Sequence, residues 1–372
     1  MTVETATVST LPTLPTAPTV PTSQDPFVNH PDARAGRRPR ALLAMSTDAA
    51  EQALGAYGLQ RFAEVADLVH GIVADDFTEP AAAAALREAE VLVTHWGCPV
   101  LDEAVLAQAT HLRAVVHVAG TVKGFVTEAC WERGIVFSSA AWANALPVAE
   151  YTIAAILFAN KRILHMREDY RERRGQHFSF LEPYYRDAGN YRRRIGIVGA
   201  SSIGRRVLEL LRAFDFELLV YDPFLSPQHA TELGARLVDL DELCAQSDVV
   251  TLHAPQIPET RHMLDERRLA MIRDGATVIN TARGSLVDGA ALEVELKRGR
   301  LHAVIDVTEP EVLPADSVLY DLPNVLLTPH VAGSVGNELE RLVDAAADEL
   351  ARYADGLPFA HPVLRRELER SA

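Results

Sequence analysis

The sequence predicts an α/β protein made of two doubly wound, parallel-sheet lobes. Three observations lead there. Short apolar runs alternate with helix-patterned runs from residue 41 to about 147, and again from Arg193 to Thr328. Alternation of this kind builds parallel sheets covered on both faces. Within the second series, five polar residues each follow a strand-like run: Asp222 after ELLVY, His253 after DVVTL, Arg283 after ATVINTA, Asp306 after HAVI and His330 after NVLLTP. Ligands of open parallel sheets bind outside the carboxyl ends of the strands, so five such ends describe one site. Finally, RRIGIV (193–198) runs into the turn GASSIG (199–204), which marks that site as a dinucleotide cleft.

The elements follow in order. ALLAM (41–45), EVLVT (90–94), LRAVVHV (112–118) and GIVFS (134–138) read as buried strands, with helices at PAAAAALREA (80–89) and LDEAVLAQA (101–109) between them. A longer helix is expected over 148–163. The arginine- and aromatic-rich stretch that runs to about 192 reads as an extended arm, packed on another subunit or on the first lobe. The helix after the glycine turn carries Val207, Leu210, Leu211 and Phe214 on one stripe. A last long helix is expected at about 336–355; if it packs on the first lobe, that lobe is discontinuous and the cleft lies between the two.

Bulk properties narrow the partners. The 372 residues carry a net charge of −15, with 48% apolar and 23% charged residues. That balance argues against nucleic acid or an anionic membrane as the main partner. Cys98, Cys130 and Cys244 are odd in number and lack metal spacing, which fits a reduced, cytoplasmic setting. No apolar run reads as a membrane span. Residues 1–40, with repeats such as LPTLPTAPTVPT, read as a disordered Thr/Pro-rich tail. Arg34, Arg37, Arg38 and Arg40 are expected simply to solvate its junction with the folded part.

The chemistry is carried by few residues. Gly199 and Gly204 hold the outer positions of the turn and Ser201 the middle one, where glycine usually lets the backbone approach a pyrophosphate. Asp222, about 20 residues on, suits a free ribose 2′-OH and repels a 2′-phosphate, so NAD is the expected cofactor. Arg283, in NTARGSLVD (280–288), can grip a carboxylate with both arms of its guanidinium or polarise a carbonyl. His330 can deliver the proton that a carbonyl needs when hydride adds to it. A carboxylate behind the imidazole would fix its tautomer, and both Glu311 and Glu309 compete for that place. No G-x-S-x-G motif supports hydrolysis. His95, His117 and His302 show no metal-ligand spacing, and no metal is expected.

Taken together, RRIGIVGASSIGRRV, VYDPF, SDVVTLHAPQIPETRHML, NTARGSLVD, IDVTEPE and LLTPHVAGS resemble the successive motifs of the D-isomer-specific 2-hydroxyacid dehydrogenases. VVHVAGTVKGF and NALPVAEY extend the resemblance to residues of about 90–355. It implies two Rossmann-like lobes with a hinged active-site cleft between them. Residues 41–147 and 331–360 would form the substrate lobe, and 148–330 the NAD lobe. It implies catalytic roles for Arg283, Glu311 and His330; Glu311 is preferred to Glu309 because the family's carboxylate lies five residues after the strand-end Asp306. Thr281, Ala282 and Asp306 would hold the nicotinamide end. Ser202 and Ile203 would line the pyrophosphate turn with Gly199, Ser201 and Gly204, while Asp222 and His253 complete the cofactor set. Ala119, Gly120 and Thr121 would take the substrate carboxylate through backbone N–H groups.

The resemblance also implies a small 2-oxo or D-2-hydroxy acid as substrate and a homodimer. Three places depart from the family pattern. Ser201 replaces a glycine, Val312 stands where a proline usually follows the carboxylate, and His117, Ala119 and Lys123 alter the substrate loop. The chain is further expected to lack the regulatory domain of many phosphoglycerate dehydrogenases. Two other readings share the motifs: an NAD(H)-responsive regulator like the related co-repressors, and a formate- or phosphonate-oxidising relative. The complete Arg283, Glu311 and His330 set favours catalysis over sensing.

Overall fold

Consecutive apolar residues can form a strand only if both faces of the sheet are covered. In β1 (Arg40–Ala44) Ala41 and Leu43 face one core and Leu42 and Ala44 the other. The computed structural model describes residues 37–177 and 185–368. Within them β1 pairs in parallel with β2 (Asp67–Ala74) and β3 (Val91–Thr94), and β4 (Ala114–His117) and β5 (Val136–Ser139) extend the sheet in the order β2-β1-β3-β4-β5.

The second sheet contains β6 (Arg194–Val198), β7 (Glu217–Tyr221), β8 (Arg236–Leu237), β9 (Val249–Leu252), β10 (Thr277–Asn280), β11 (His302–Ile305) and β12 (Val325–Leu327). Its order is β12-β11-β10-β9-β6-β7-β8, all parallel. The order reverses between β6 and β9, and such a switch point opens a crevice at the carboxyl ends. Register then sets the site. Val198 pairs with Tyr221 and Leu252, Asn280 with Leu252 and Ile305, and Ile305 with Leu327. The residues that follow, Gly199, Asp222, His253, Thr281, Asp306 and Thr328, therefore form a row along one edge.

Two helices join the lobes. Helix Ala141–Asn160 places Ala143 in the core of the first sheet and Ala149, Ala155 and Ile156 in the core of the second. Its length and composition would also suit a membrane span, which the sequence reading did not anticipate; instead the helix packs against both sheets. Helix Leu339–Ala354 returns to the first sheet, burying Leu342, Val343, Ala346 and Leu350 there. Asp344 on that helix accepts hydrogen bonds from Tyr57 and Arg61 of helix Gly55–Val65.

Several expectations change. The helix expected at 148–163 begins at Ala141, with Pro147 inside it; Pro favours a helix start, which drew the predicted boundary too far along the chain. Strand β2 was not expected, because His70 and Gly71 adopt positive φ and break its pattern. Phe214 lies beyond the end of helix Ser202–Leu211, and Leu208 takes its place in the core. The arginines before β1 do more than solvate. Arg38 donates to the carbonyls of Glu64 and Ala66 and to Asp67, and Arg37 and Arg40 pair with Glu90 and Glu88. The tail reading otherwise falls on residues 1–36, outside the described ones. Part of the expected arm, 178–184, lies outside them too, and its start is helix Ile163–Glu172.

Candidate active site

The glycine turn is built for close packing. Gly199 has φ +96°, a region that L side chains avoid, and a Cβ there would lie 2.8 Å from the Ala254 nitrogen. A Cβ on Gly204 would lie 2.0 Å from the Gly199 oxygen. Ser201 in the middle position caps helix Ser202–Leu211, its hydroxyl accepting from the Gly204 N–H at 3.3 Å. The departure from glycine thus satisfies one of the free donors at the helix start. Ser202 is exposed and Ile203 half-buried at the same helix end, where backbone N–H groups and the helix dipole favour an anion. Asp222 completes the turn: its carboxylate accepts from the Ala200 N–H and the Phe224 N–H, both at 2.8 Å. Arg205, which the sequence reading passed over, folds back to donate to the Ala200 carbonyl at 2.8 Å. Its place directly after Gly204 was the available signal. This cradle fits a dinucleotide.

Two of the expected cofactor residues are buried and bonded to protein groups. His253 is 3% exposed, and its Nε2 shares a hydrogen bond with Thr251 at 3.0 Å. Its Cβ packs under the turn, 3.4 Å from where a Gly204 Cβ would lie. Asp306 is 2% exposed. One of its oxygens accepts from the Thr328 hydroxyl at 2.6 Å and the Val331 N–H at 2.8 Å, and the other from the Ala332 N–H at 2.9 Å. Its carboxylate is occupied in fastening the loop that carries His330. Strand-end position alone could not separate a residue that points into the crevice from one that points under it. Thr281 and Ala282 are also buried; Thr281 meets Thr152, and the Ala282 carbonyl accepts from Arg283.

The proposed acid–base pair is assembled across two loops. His330 Nδ1 lies 2.5 Å from Glu311 Oε1. The carboxylate accepts, so Nδ1 carries the proton and Nε2 is left as the exchangeable atom. The His330 backbone has φ +57°, held there by the Asp306 contacts and by its own N–H to the Asp306 carbonyl at 2.9 Å. Glu309 is engaged elsewhere, in an ion pair with Arg261 at 2.9 Å. Of the two carboxylates, Glu311 is the one in contact with His330. Thr308 fixes that loop by donating to the Pro310 and Glu311 carbonyls. Gly284, beside Arg283, permits its approach, since a Cβ there would meet the Thr308 carbonyl carbon at 2.1 Å. Val312 is 81% exposed, so losing a proline there changes no buried contact.

Arg283 is half-buried. Burial lowers its pKa, and the nearby Glu311 carboxylate works in the opposite direction. From the first lobe, the loop after β4 presents Ala119, which is buried, Gly120 and exposed Thr121. Asn144 ties this loop to the His330 loop. Its Oδ1 accepts from the Ser334 N–H at 2.9 Å, and its Nδ2 lies 3.9 Å from a Cβ built on Gly120. Among the described residues no group of His, Cys, Asp and Glu could hold a metal ion.

A family profile described as D-isomer specific 2-hydroxyacid dehydrogenase, NAD binding domain, matches residues 153–332. The chain is 30% identical to the glyoxylate reductase of Korarchaeum cryptofilum, over 73% of its own length and 81% of that protein. It belongs to the D-isomer-specific 2-hydroxyacid dehydrogenase family. It is also 32% identical to the D-3-phosphoglycerate dehydrogenase of Archaeoglobus fulgidus over 73% of this chain, but spans only about half (51%) of that longer protein. Among solved structures, the TT0316 protein of Thermus thermophilus is similar at 28% identity and a TM-score of 0.68, covering 87% of this chain and 100% of that one. The D-lactate dehydrogenase of Aquifex aeolicus, solved with NAD and lactic acid, is similar at 26% and 0.67, covering 85% of this chain and 96% of that one. Family membership accounts for the two parallel sheets and for the glycine turn at the head of the second.

Proposed function

We propose that this 2-hydroxyacid dehydrogenase family member transfers hydride between NAD(H) and a small D-2-hydroxy acid or 2-oxo acid. The observation that carries the reading is the 2.5 Å Glu311–His330 pair at the same strand ends as Arg283 and the glycine turn. When bound, the nicotinamide supplies or accepts the hydride. Gly199, Ser201, Ser202, Ile203, Gly204 and Asp222 hold the dinucleotide, with the backbone at Thr281 and Ala282 toward its nicotinamide end. His253 and Asp306 keep these loops in place from below.

Arg283 grips the substrate carboxylate together with the N–H groups of Ala119, Gly120 and Thr121. It also faces the carbonyl oxygen, where negative charge grows during reduction. His330 Nε2 gives the proton to that oxygen, and Glu311 stabilises the imidazolium in the protonated state. The substrate lobe comprises 41–147 and 331–360, and the NAD lobe 148–330.

Two further points belong to this reading. The protein works in the cytoplasm on small molecules, with neither nucleic acid nor membrane as partner. It is a homodimer, supported by a groove of about 240 Å³ lined by Tyr151, Ala155, Phe158, Leu164 and Leu326. Phe158 is 55% exposed there, an arrangement that suits a second copy better than water. The test is NADH oxidation with glyoxylate, hydroxypyruvate, pyruvate and larger 2-oxo acids. His330→Ala should lower kcat on the preferred acid by ~10²–10⁴-fold with NADH binding little changed. Near-normal turnover in that variant would remove the assignment.

A further inference from the structure

The loops at the carboxyl end of the first sheet hold two large apolar side chains half in solvent. Trp96, two residues beyond β3, is 50% exposed, and Val335, on the segment after His330, is 49% exposed. They lie on either side of the loop Ala119–Thr121. On one side, Thr94 at the end of β3 is in register with His117 at the end of β4, and its carbonyl accepts from the Val118 N–H at 2.8 Å. Neighbouring strands are about 4.8 Å apart, so the Trp96 loop is the immediate neighbour of Ala119. On the other side, just after β5, Asn144 stands beside Gly120 and holds the N–H of Ser334, the residue before Val335. The Trp96 backbone is firmly fixed. Its N–H donates to His95 Nδ1 at 2.7 Å, and its carbonyl accepts from the Ser46 N–H at 3.0 Å. Gly97 has φ +75°, and a Cβ there would lie 2.6 Å from the Ser46 Cβ. The His95 ring is 1% exposed and meets the indole edge-on, with centroids 4.4 Å apart. Trp142, the other exposed tryptophan of this edge, is already stacked on His361 at 4.8 Å. A lone exposed apolar residue is ordinary on a surface. An indole braced by a buried ring, beside a loop with no bulky side chain and opposite a second exposed apolar group, forms a wall.

We propose that Trp96 is a specificity-determining residue whose indole packs against the substrate's side chain, with Val335 on the far flank, and that the preferred substrates are 2-oxo acids with an aromatic side chain. The inference rests on the 2-oxo acid reading above. An acid held by its carboxylate at Ala119–Thr121 lays its side chain over one flank of that loop, and both flanks are apolar. Neither Trp96 nor Val335 offers a charge to match a second carboxylate or a phosphate. The face of an indole is matched best by another ring, offset or edge-on. Glyoxylate, with hydrogen in place of a side chain, leaves the indole in water and gains nothing from it. Because the contact is made before and during reaction alike, its loss should appear in KM more than in kcat.

The test measures kcat/KM for phenylpyruvate and for glyoxylate, with NADH, in wild type, Trp96→Ala and Trp96→Phe as full chains. Apolar contacts in a substrate pocket discriminate by about 10- to 200-fold. Wild type should favour phenylpyruvate by about 10-fold or more. Trp96→Ala should lower kcat/KM on phenylpyruvate by about 10- to 100-fold, mainly through KM, and leave glyoxylate within about threefold. Trp96→Phe should recover most of the loss. 3-Phenylpropionate, an aromatic carboxylate with no 2-oxo group for hydride to reduce, serves as a binding probe. By calorimetry it should bind the NADH complex of wild type about 10- to 100-fold more tightly than that of Trp96→Ala. A wild type that prefers glyoxylate would overturn the proposal. So would equal losses on both acids in Trp96→Ala, the mark of a contact between lobes or subunits, and so would 3-phenylpropionate affinity that does not depend on Trp96. If wild type reduces no 2-oxo acid but binds 3-phenylpropionate through Trp96, the side-chain subsite stands and the reaction assignment falls. If it does neither, both fall.

Discussion

Replacing Asp306 by Asn separates two accounts of this residue. The strand-end position suggests a direct contact with the nicotinamide end, whereas the structure gives both oxygens to protein donors. Asn keeps the shape and one acceptor. If its oxygen keeps the Thr328 hydroxyl and the Val331 N–H, its NH2 group faces the Ala332 N–H and a donor meets a donor. A hydrogen bond to a charged group is worth about 1.5–3 kcal/mol, and a buried N–H left unpaired costs about 1–3 kcal/mol more. The opposite amide orientation loses more, because then the Val331 N–H is unpaired and Thr328 must reverse its bond while still holding the Tyr151 hydroxyl at 2.9 Å. Asp306→Asn should thus cost about 2.5–6 kcal/mol, concentrated in residues 328–332. The loop that holds His330 at φ +57° would relax. Displacing a catalytic group by ~1 Å can lower turnover about 10²-fold. The assay is NADH binding by fluorescence alongside kcat on the preferred 2-oxo acid. We expect kcat to fall ~10–10²-fold with NADH affinity within about threefold of wild type. A loss of NADH affinity as large as the loss in kcat would refute the positioning role and restore the direct contact.

Other outcomes follow from the same geometry. His95, His117 and His253 are 1–3% exposed, and burial lowers their pKa to about 4, about 3 and about 3. They stay neutral in the fold but bind protons near pH 6.5 once unfolded, so stability is full above that pH and falls as pH drops below it, by about 1.4 kcal/mol per His between pH 7.5 and 5.5, or roughly 4 kcal/mol in all. Urea unfolding at the two pH values checks this, and a flat or rising stability toward pH 5.5 would contradict it. Gly284→Ala forces a Cβ to 2.1 Å from the Thr308 backbone. It should cost about 1–3 kcal/mol and lower kcat by shifting Glu311, measured by thermal melting beside turnover. NADH should be preferred to NADPH, because the Asp222 carboxylate meets any 2′-phosphate, and Asp222→Ala should narrow that preference; equal efficiency with both cofactors in the wild type would exclude the role given to Asp222.

The parts of the fold that were legible in the sequence are those where local pattern and tertiary demand coincide. Strands β1, β3, β4 and β5 read from unbroken apolar runs because both of their faces are covered. β2 escaped because a strand with positive φ at His70 and Gly71 has no simple period. The site was legible at the level of strand ends, since the row of residues after β6, β7, β9, β10, β11 and β12 is a matter of register. Sequence could not tell which strand-end side chains enter the crevice, because that depends on what else competes for their polar atoms. Asp222, Asp306 and His253 occupy equivalent places in that row. Asp222 is only half-buried and bonds to the N–H groups of its own turn, Asp306 is buried and spends both oxygens on the segment 328–332, and His253 is 3% exposed. The choice between Glu309 and Glu311 has the same character. They lie two residues apart and are chemically alike, and they differ in their partners: Arg261 pairs with Glu309, while Glu311 meets His330. Removing that competitor is therefore informative. Arg261→Ala removes the closer partner of Glu309, leaving His262 at 3.7 Å, without touching Glu311 or His330. If the 2.5 Å Glu311 contact defines the pair, the pH dependence of kcat should stay where it is in that variant. If Glu309 can serve as the partner, Arg261→Ala should rescue the activity lost in Glu311→Gln. Recovery of Glu311→Gln activity on removing Arg261 is the result that would move the carboxylate assignment to Glu309.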